Sequence, residues 1–377
     1  MRIIKSAFLA TTILSAGVTS ASAEVNVMAS IKPIHSLVSA VMDGAGTPSL
    51  IIEGAGSPHN YALKPSQAAA LQDADLVFWV GHDLEAFLEK AIDSVALNAR
   101  SIALSDAHGL TKIKFREGGS FDAHGHDEHN EHDEHDKHDD HDKHDDHDDH
   151  DKHDDHDKHD DHDKHDAHDK HDDHDKHDDH DDHDKHDDHD KHDDHDKHDD
   201  HGHEGYDPHV WLDPENAKAL IHEIEEALVA ADPENTATYE RNAEAMMRKL
   251  DALITEIDAE LEPVKGKGYV VFHDAYQYFE RRFGVSAVGS ITVSPEILPG
   301  AKRVSELQEK VKSLDATCVF SEPQFEPKLV TTITENTTAR TGVLDPLGAS
   351  MESGPGLYFT LIRTMAHSLK DCLLGKS

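Results

Sequence analysis

Four residues stand where a metal ion could be gripped. His59 lies in the turn Gly-Ser-Pro-His-Asn-Tyr, shortly after the apolar Leu50–Ile52, and His209 lies in Asp-Pro-His-Val-Trp-Leu-Asp-Pro. His273 closes Tyr-Val-Val-Phe-His-Asp, and Asp345 closes Gly-Val-Leu-Asp-Pro. Three imidazoles and one carboxylate suit a tetrahedral Zn²⁺, a borderline ion that takes nitrogen and oxygen ligands together. As spacing alone this set is weak, because ligands drawn from different loops carry no local signature. Loop or cap histidines without a metal would give the same pattern. His35 and His82 also stand near strand ends and read as bystanders, with a role at the entrance or behind the ligands as the other reading, while His108, His222 and His367 have no supporting context.

A second block of potential ligands is of a different kind. Of 36 histidines, 28 fall between His124 and His203, in repeating units such as His-Asp-Asp-His-Asp-Lys. Between Asp122 and Glu204 there are 40 acids and 10 lysines, so −30 of the net charge of −42 belongs to this one tract. It holds almost no apolar side chains, so burial cannot offset the cost of ordering the backbone, and disorder is the expectation. Dense histidine and aspartate would hold several divalent ions weakly, gathering or buffering them on a tether; a merely solubilising acidic insert is the other reading. Outside the tract the chain is only mildly acidic. With no basic patch to follow a phosphate backbone, nucleic acid is excluded as a partner.

The elements that must position these residues alternate in type. Val25–Ala29, Ser49–Ile52, Asp75–Val80 and Ser101–Leu104 read as strands, with helices over Pro65–Asp73 and Leu84–Ile92. After the tract, Pro214–Ala230 reads as a helix. A longer one begins near Pro233, where Tyr239, Ala243, Met246, Leu250, Leu253, Ile257 and Leu261 recur at three- and four-residue steps and lay one apolar stripe. Pro263 and the Gly266/Gly268 pair end it. Strands then return at Tyr269–Phe272, Val285–Ile291, Thr317–Phe320 and Thr341–Leu344, with helices over Asp274–Phe283, Ala301–Leu314, Pro327–Asn336 and Pro355–Leu373. Such alternation predicts an α/β protein with parallel sheets covered by helices, and in open parallel sheets ligands bind beyond the carboxyl ends of strands.

The compartment is written at the start. Arg2 and Lys5, an apolar Ala7–Val18 and the small-residue Ala21-Ser22-Ala23 have the layout of a secretory signal peptide over 1–23. The apolar run is shorter than the roughly 20 residues that span a bilayer, so a soluble exported protein is expected, against an uncleaved anchor. In that compartment the two cysteines, Cys318 and Cys372, point to one disulfide; two buried free thiols are the other reading. A zinc hydrolase would also use three protein ligands and an open position. No H-E-x-x-H motif is present, however, and no evident general base accompanies the histidines.

Five segments together carry a family resemblance: Pro-His-Asn-Tyr-Ala-Leu-Lys-Pro-Ser (58–66), Asp-Leu-Val-Phe-Trp-Val-Gly (75–81), Asp-Pro-His-Val-Trp-Leu-Asp-Pro (207–214), Val-Phe-His-Asp-Ala-Tyr-Gln-Tyr-Phe (271–279) and Leu-Asp-Pro-Leu-Gly (344–348). They resemble the metal-specific solute-binding proteins of ABC transporters, on the zinc-uptake side of that family. The resemblance implies two Rossmann-like α/β lobes, here 24–232 (interrupted by the tract, 122–204) and 264–377, joined by a rigid helix over 233–263. It places the metal in the cleft between the lobes. It implies ligand roles for His59, His209 and His273, with Asp345 as fourth ligand or near-ligand, and it agrees with a Cys318–Cys372 disulfide. Some members place a glutamate just before the first histidine; here that position is Pro58, which offers no donor. The fourth position then falls to Asp345, a water or a tract residue. Manganese-selective relatives tend to carry glutamate where His273 stands, and a third imidazole moves preference toward Zn²⁺. The implied activity is capture of periplasmic Zn²⁺ by a monomer and delivery to a membrane permease, without catalysis. A periplasmic zinc buffer or metallochaperone uncoupled from any transporter is the alternative.

Overall fold

The first four strands build one sheet, whose two central members, Val-Met-Ala and Leu-Val-Phe-Trp, are fully buried apolar runs. In the computed structural model the four are β1 (Val27–Ala29), β2 (Ser49–Leu50), β3 (Leu76–Trp79) and β4 (Arg100–Ala103), all parallel, in the order β2-β1-β3-β4. The structure describes residues 25–116, 205–292, 299–313, 317–326 and 328–376. The expected signal peptide and the His/Asp tract lie outside these residues, as do Leu314 and Pro327 at the ends of two expected helices.

The second sheet repeats the first. It comprises β5 (Tyr269–His273), β6 (Ala287–Thr292), β7 (Cys318–Ser321) and β8 (Arg340–Val343), parallel throughout, in the order β6-β5-β7-β8. Its strands show why period two survives on a sheet covered on both sides. Tyr269 and Val271 face the main core, while Val270 and Phe272 face a smaller cluster with Leu307, Val311, Val330 and Ile333. Those partners come from α7 (Ala301–Ser313) and α8 (Lys328–Thr334), which cover the outer face.

The main core is built by helices whose apolar faces converge. α4 (Pro214–Ala231) is started by Asp213, whose side chain accepts from the Glu215 backbone N–H. α5 (Thr236–Leu261) buries the very stripe its spacing predicts, from Tyr239 to Leu261. It begins three residues later than expected, because Pro233–Asn235 forms a 3₁₀ turn first. At 26 residues it is about 40 Å long, and it packs against α1 (Lys32–Val41), α4 and the C-terminal α9 (Leu357–Leu374). α1 was not expected. All ten of its residues are buried, although Lys32, His35, Ser36 and Ser39 recur at three- and four-residue steps opposite Ile34, Leu37, Val38 and Val41, so a helical period is present in its sequence.

Cys318 in β7 and Cys372 in α9 are joined as a disulfide, which fastens the last helix to the second sheet. Among the described residues the remaining α-helices are α2 (Pro65–Gln72), α3 (His82–Val95) and α6 (Gln277–Phe283). No helix among the described residues is long and apolar enough to cross a membrane.

Candidate metal centre

The three histidines arrive from three separate segments. His59 sits in the loop between β2 and α2, His209 opens a 3₁₀ turn over Val210–Leu212, and His273 is the last residue of β5. One ring nitrogen of each lies within 4.8 Å of the other two. The ring centroids form a near-equilateral triangle with sides of 5.5, 5.7 and 5.2 Å. His209 and His273 are each only 4 % exposed, whereas His59 is half-buried.

Two of the rings are held from behind by carboxylates. Asp207 Oδ1 is 2.7 Å from His209 Nδ1, and Glu322 Oε1 is 2.8 Å from His273 Nδ1. An ionised carboxylate only accepts, so with both acids ionised each Nδ1 carries the proton and each Nε2 keeps its lone pair for the centre. The two Nε2 atoms face one another at 3.4 Å. Two nitrogens bound at about 2.0–2.1 Å to one tetrahedral zinc would lie about 3.4 Å apart. A proton or a cation between them relieves the opposition of their lone pairs; the spacing is that of two ligands on one ion.

The electrostatics follow from burial. Burial pushes Asp207 up to about 7, against the opposing pull of the His209 N–H and the Gln277 amide. Burial lowers His209 well below its usual value, and neighbouring His273 adds to this. For His273 burial acts downward too, but the Glu322 carboxylate overcomes it and the net shift is upward. The cavity around the histidines, walled by Trp211, Phe325, Pro346 and Leu347, is about 10 Å³. That is room for one water-sized particle, so the donor set and the space both fit an ion.

Asp345 does something else with its oxygens. Oδ1 accepts from the Leu347 and Gly348 N–H groups at 3.1 and 2.9 Å and from Gln324 Nε2 at 3.0 Å. Oδ2 accepts from the Ala349 N–H at 2.6 Å. Lys32, at the start of α1, donates to the Gly348, Ala349 and Met351 carbonyls at 3.0, 2.8 and 2.9 Å. The loop after β8 is thus tied from both ends of its peptide dipoles. Asp345 is not a member of the three-histidine group.

His35 and His82 are occupied elsewhere. His35 Nε2 pairs with the Pro48 carbonyl at 3.0 Å inside the core, and His82 pairs with Glu89 at 2.6 Å on the surface. Glu322 and Asp207 were not singled out from sequence. Glu322 directly follows the strand Cys-Val-Phe-Ser, so the rule that drew attention to His273 and Asp345 would have found it.

Comparison with known proteins places the whole chain in one group. The family model described as "ZnuA: Zinc-uptake complex component A periplasmic" matches residues 27–372. The high-affinity zinc uptake system protein ZnuA of Brucella abortus (strain 2308) is 52 % identical over 375 residues, covering 99 % of each chain. Among solved structures, a crystal structure of ZnuA superposes with a TM-score of 0.64 at 20 % identity, over 93 % of this chain and 99 % of the other. A manganese-bound periplasmic metal binding protein from Candidatus Liberibacter asiaticus superposes with a TM-score of 0.61 at 18 % identity, over 93 % and 99 %. At these identities the structural likeness speaks for the fold.

Proposed function

The chain belongs to the family of periplasmic zinc-uptake components, ZnuA, and from that premise we propose that it captures Zn²⁺ between His59, His209 and His273 and passes it to the membrane permease of an ABC importer. The observation that carries this is the convergence of three imidazole nitrogens within 4.8 Å, from segments far apart in the chain. Zinc is the cargo, so the site must hold it tightly yet release it whole. Three protein ligands leave a position open, and that open position is where an exchanging ligand can enter. Asp345 serves as a near-ligand that shapes the loop beside the site rather than as the fourth donor, since coordinating zinc would cost it the backbone hydrogen bonds that hold residues 347–349. The signal peptide at 1–23 directs export, and the His/Asp tract gathers zinc in weak sites.

One titration tests the assignment. Excision of residues 124–203 should remove several weak zinc equivalents and leave one tight equivalent. In that shortened protein, changing His59, His209 and His273 together to alanine should abolish the tight equivalent. Retention of a stoichiometric, tightly held zinc by the triple variant would overturn the ligand set. Transport is tested separately: a strain lacking the protein should fail to grow under zinc chelation, and normal growth there would favour a buffer uncoupled from a transporter.

A further inference from the structure

Two buried carboxylates next to the histidines have no part in the ligand set. Asp207 and Glu322 have side chains 0 % and 1 % exposed. Each holds a ring Nδ1, the nitrogen that faces away from the centre, and neither belongs to the three-histidine group. Each also uses one oxygen twice on the same residue. Asp207 Oδ1 accepts the backbone N–H of His209 at 3.0 Å as well as its ring Nδ1–H, and Glu322 Oε1 accepts the backbone N–H of His273 at 3.3 Å as well as its ring Nδ1–H. A single acceptor gripping both the main chain and the ring leaves the imidazole little freedom to rotate or to change tautomer.

We propose that Asp207 and Glu322 are positioning residues that preset His209 and His273 as an Nε2-donating pair, spaced for one divalent ion before the ion arrives. This rests on the ligand reading given above.

The supports of the two carboxylates differ, and both are rigid. Glu322 directly follows β7, the strand that pairs with the β5 strand ending in His273. Acid and histidine therefore come from adjacent strands of one sheet. Asp207 is held by its neighbours instead: its N–H donates to the Ile113 carbonyl at 2.8 Å, its carbonyl accepts from Tyr278 Oη at 2.8 Å, and its Oδ2 accepts from Gln277 Nε2 at 3.1 Å. The Lys114–Tyr206 antiparallel bridge sits one residue away, so the peptide leading into His209 is pinned before the ring is reached. The result is the 3.4 Å Nε2–Nε2 spacing. Partner carboxylates of this kind raise the basicity of the ligating nitrogen and commonly contribute about 10–100-fold to metal affinity.

The test uses the full chain, with zinc competed against a chelator of known affinity, and histidine ¹⁵N spectra of the zinc-free protein above pH 8. The wild type should show His209 and His273 both protonated at Nδ1. Glu322→Leu should weaken zinc binding about 10–100-fold and shift His273 toward the Nε2-protonated tautomer. Glu322→Gln, whose amide oxygen can still accept, should keep the wild-type tautomer and lose less affinity. Asp207→Leu should act on His209 in the same way. An Nε2-protonated His209 or His273 in the zinc-free wild type would overturn the proposal without any variant. So would wild-type affinity in Glu322→Leu with the His273 tautomer unchanged. His273→Ala separates the two levels: if it binds zinc normally the ligand reading fails, whereas if it loses zinc while Glu322→Leu does not, only the positioning role fails.

Discussion

Buried ionisable groups set the behaviour of single residues here, and they do not all serve the metal. Glu85, on α3, is completely buried far along the chain from the histidine segments, and its Oε2 accepts the Val80 and Gly81 N–H groups at 2.8 and 3.2 Å. Burial pushes it up to about 7, against the Ser30 hydroxyl and those two N–H groups. A folded value above the ordinary 4.5 means the neutral form is favoured in the native state. Its contribution to stability is therefore fully present below pH 4.5 and is lost as pH rises through about 7. Glu85→Gln should be more stable than the wild type at pH 8.5, by about 3 kcal/mol, with the gap closing toward pH 4.5. Urea unfolding at the two pH values measures this, and a gap that does not change with pH would refute it. The histidines respond in the opposite sense to falling pH: protonation removes the lone pairs that the ion needs, so zinc is released as the medium acidifies.

Among the elements, the loop after β8 is held by a dense set of polar contacts. Lys32 supplies three donors to its carbonyls, Asp345 takes three of its N–H groups, and Trp211 Nε1 donates to the Pro346 carbonyl at 2.9 Å. Because Lys32 begins α1 and Trp211 neighbours the His209 turn, this loop joins the first sheet's leading helix to the end of the second sheet. Lys32→Met keeps the aliphatic stem and removes the ammonium, leaving carbonyls without their charge-assisted partner. The expected loss is about 3 kcal/mol of unfolding free energy. Zinc affinity should change less than tenfold, since no histidine sits on the loop. Denaturant unfolding beside a zinc competition assay reads both quantities, and a stability loss under about 1 kcal/mol would show that the ammonium is not what holds the loop.

At the scale of the whole molecule, two parallel sheets of the same strand order share one main core, and the helix α5 lies along that core against α1, α4 and α9. The Cys318–Cys372 disulfide closes a 54-residue separation across β7 and α9. In the chain-entropy account a loop of that size contributes about 4 kcal/mol by restricting the unfolded chain. Reduction should lower the melting temperature by roughly 10 °C while leaving the histidine centre able to bind zinc, because neither cysteine touches it. An unchanged melting curve under full reduction would show that the bond adds nothing to stability.

Sequence by itself determined the α/β class, the strand positions to within about two residues, the stripe on α5 and the donor types. These are written in local patterns: strand runs, a three-and-four step, turn residues and the motifs of a family. The helical step of α1 is also written there, in Lys32, His35, Ser36 and Ser39, although α1 was not expected; that this polar stripe is buried with the rest of the helix is decided only by the fold. Sequence did not reveal the partners of the ligands. Glu322 stands 49 positions from His273, and His209 stands 64 positions from it; nothing periodic links such residues. Asp345 shows the same limit, for its place at the end of a strand is local, while the direction of its carboxylate is settled by the peptide N–H groups that the folded loop turns toward it. Residue types and elements follow from neighbours in the chain, but which lone pair faces the centre depends on neighbours in space, and only the packed tertiary structure brings those together.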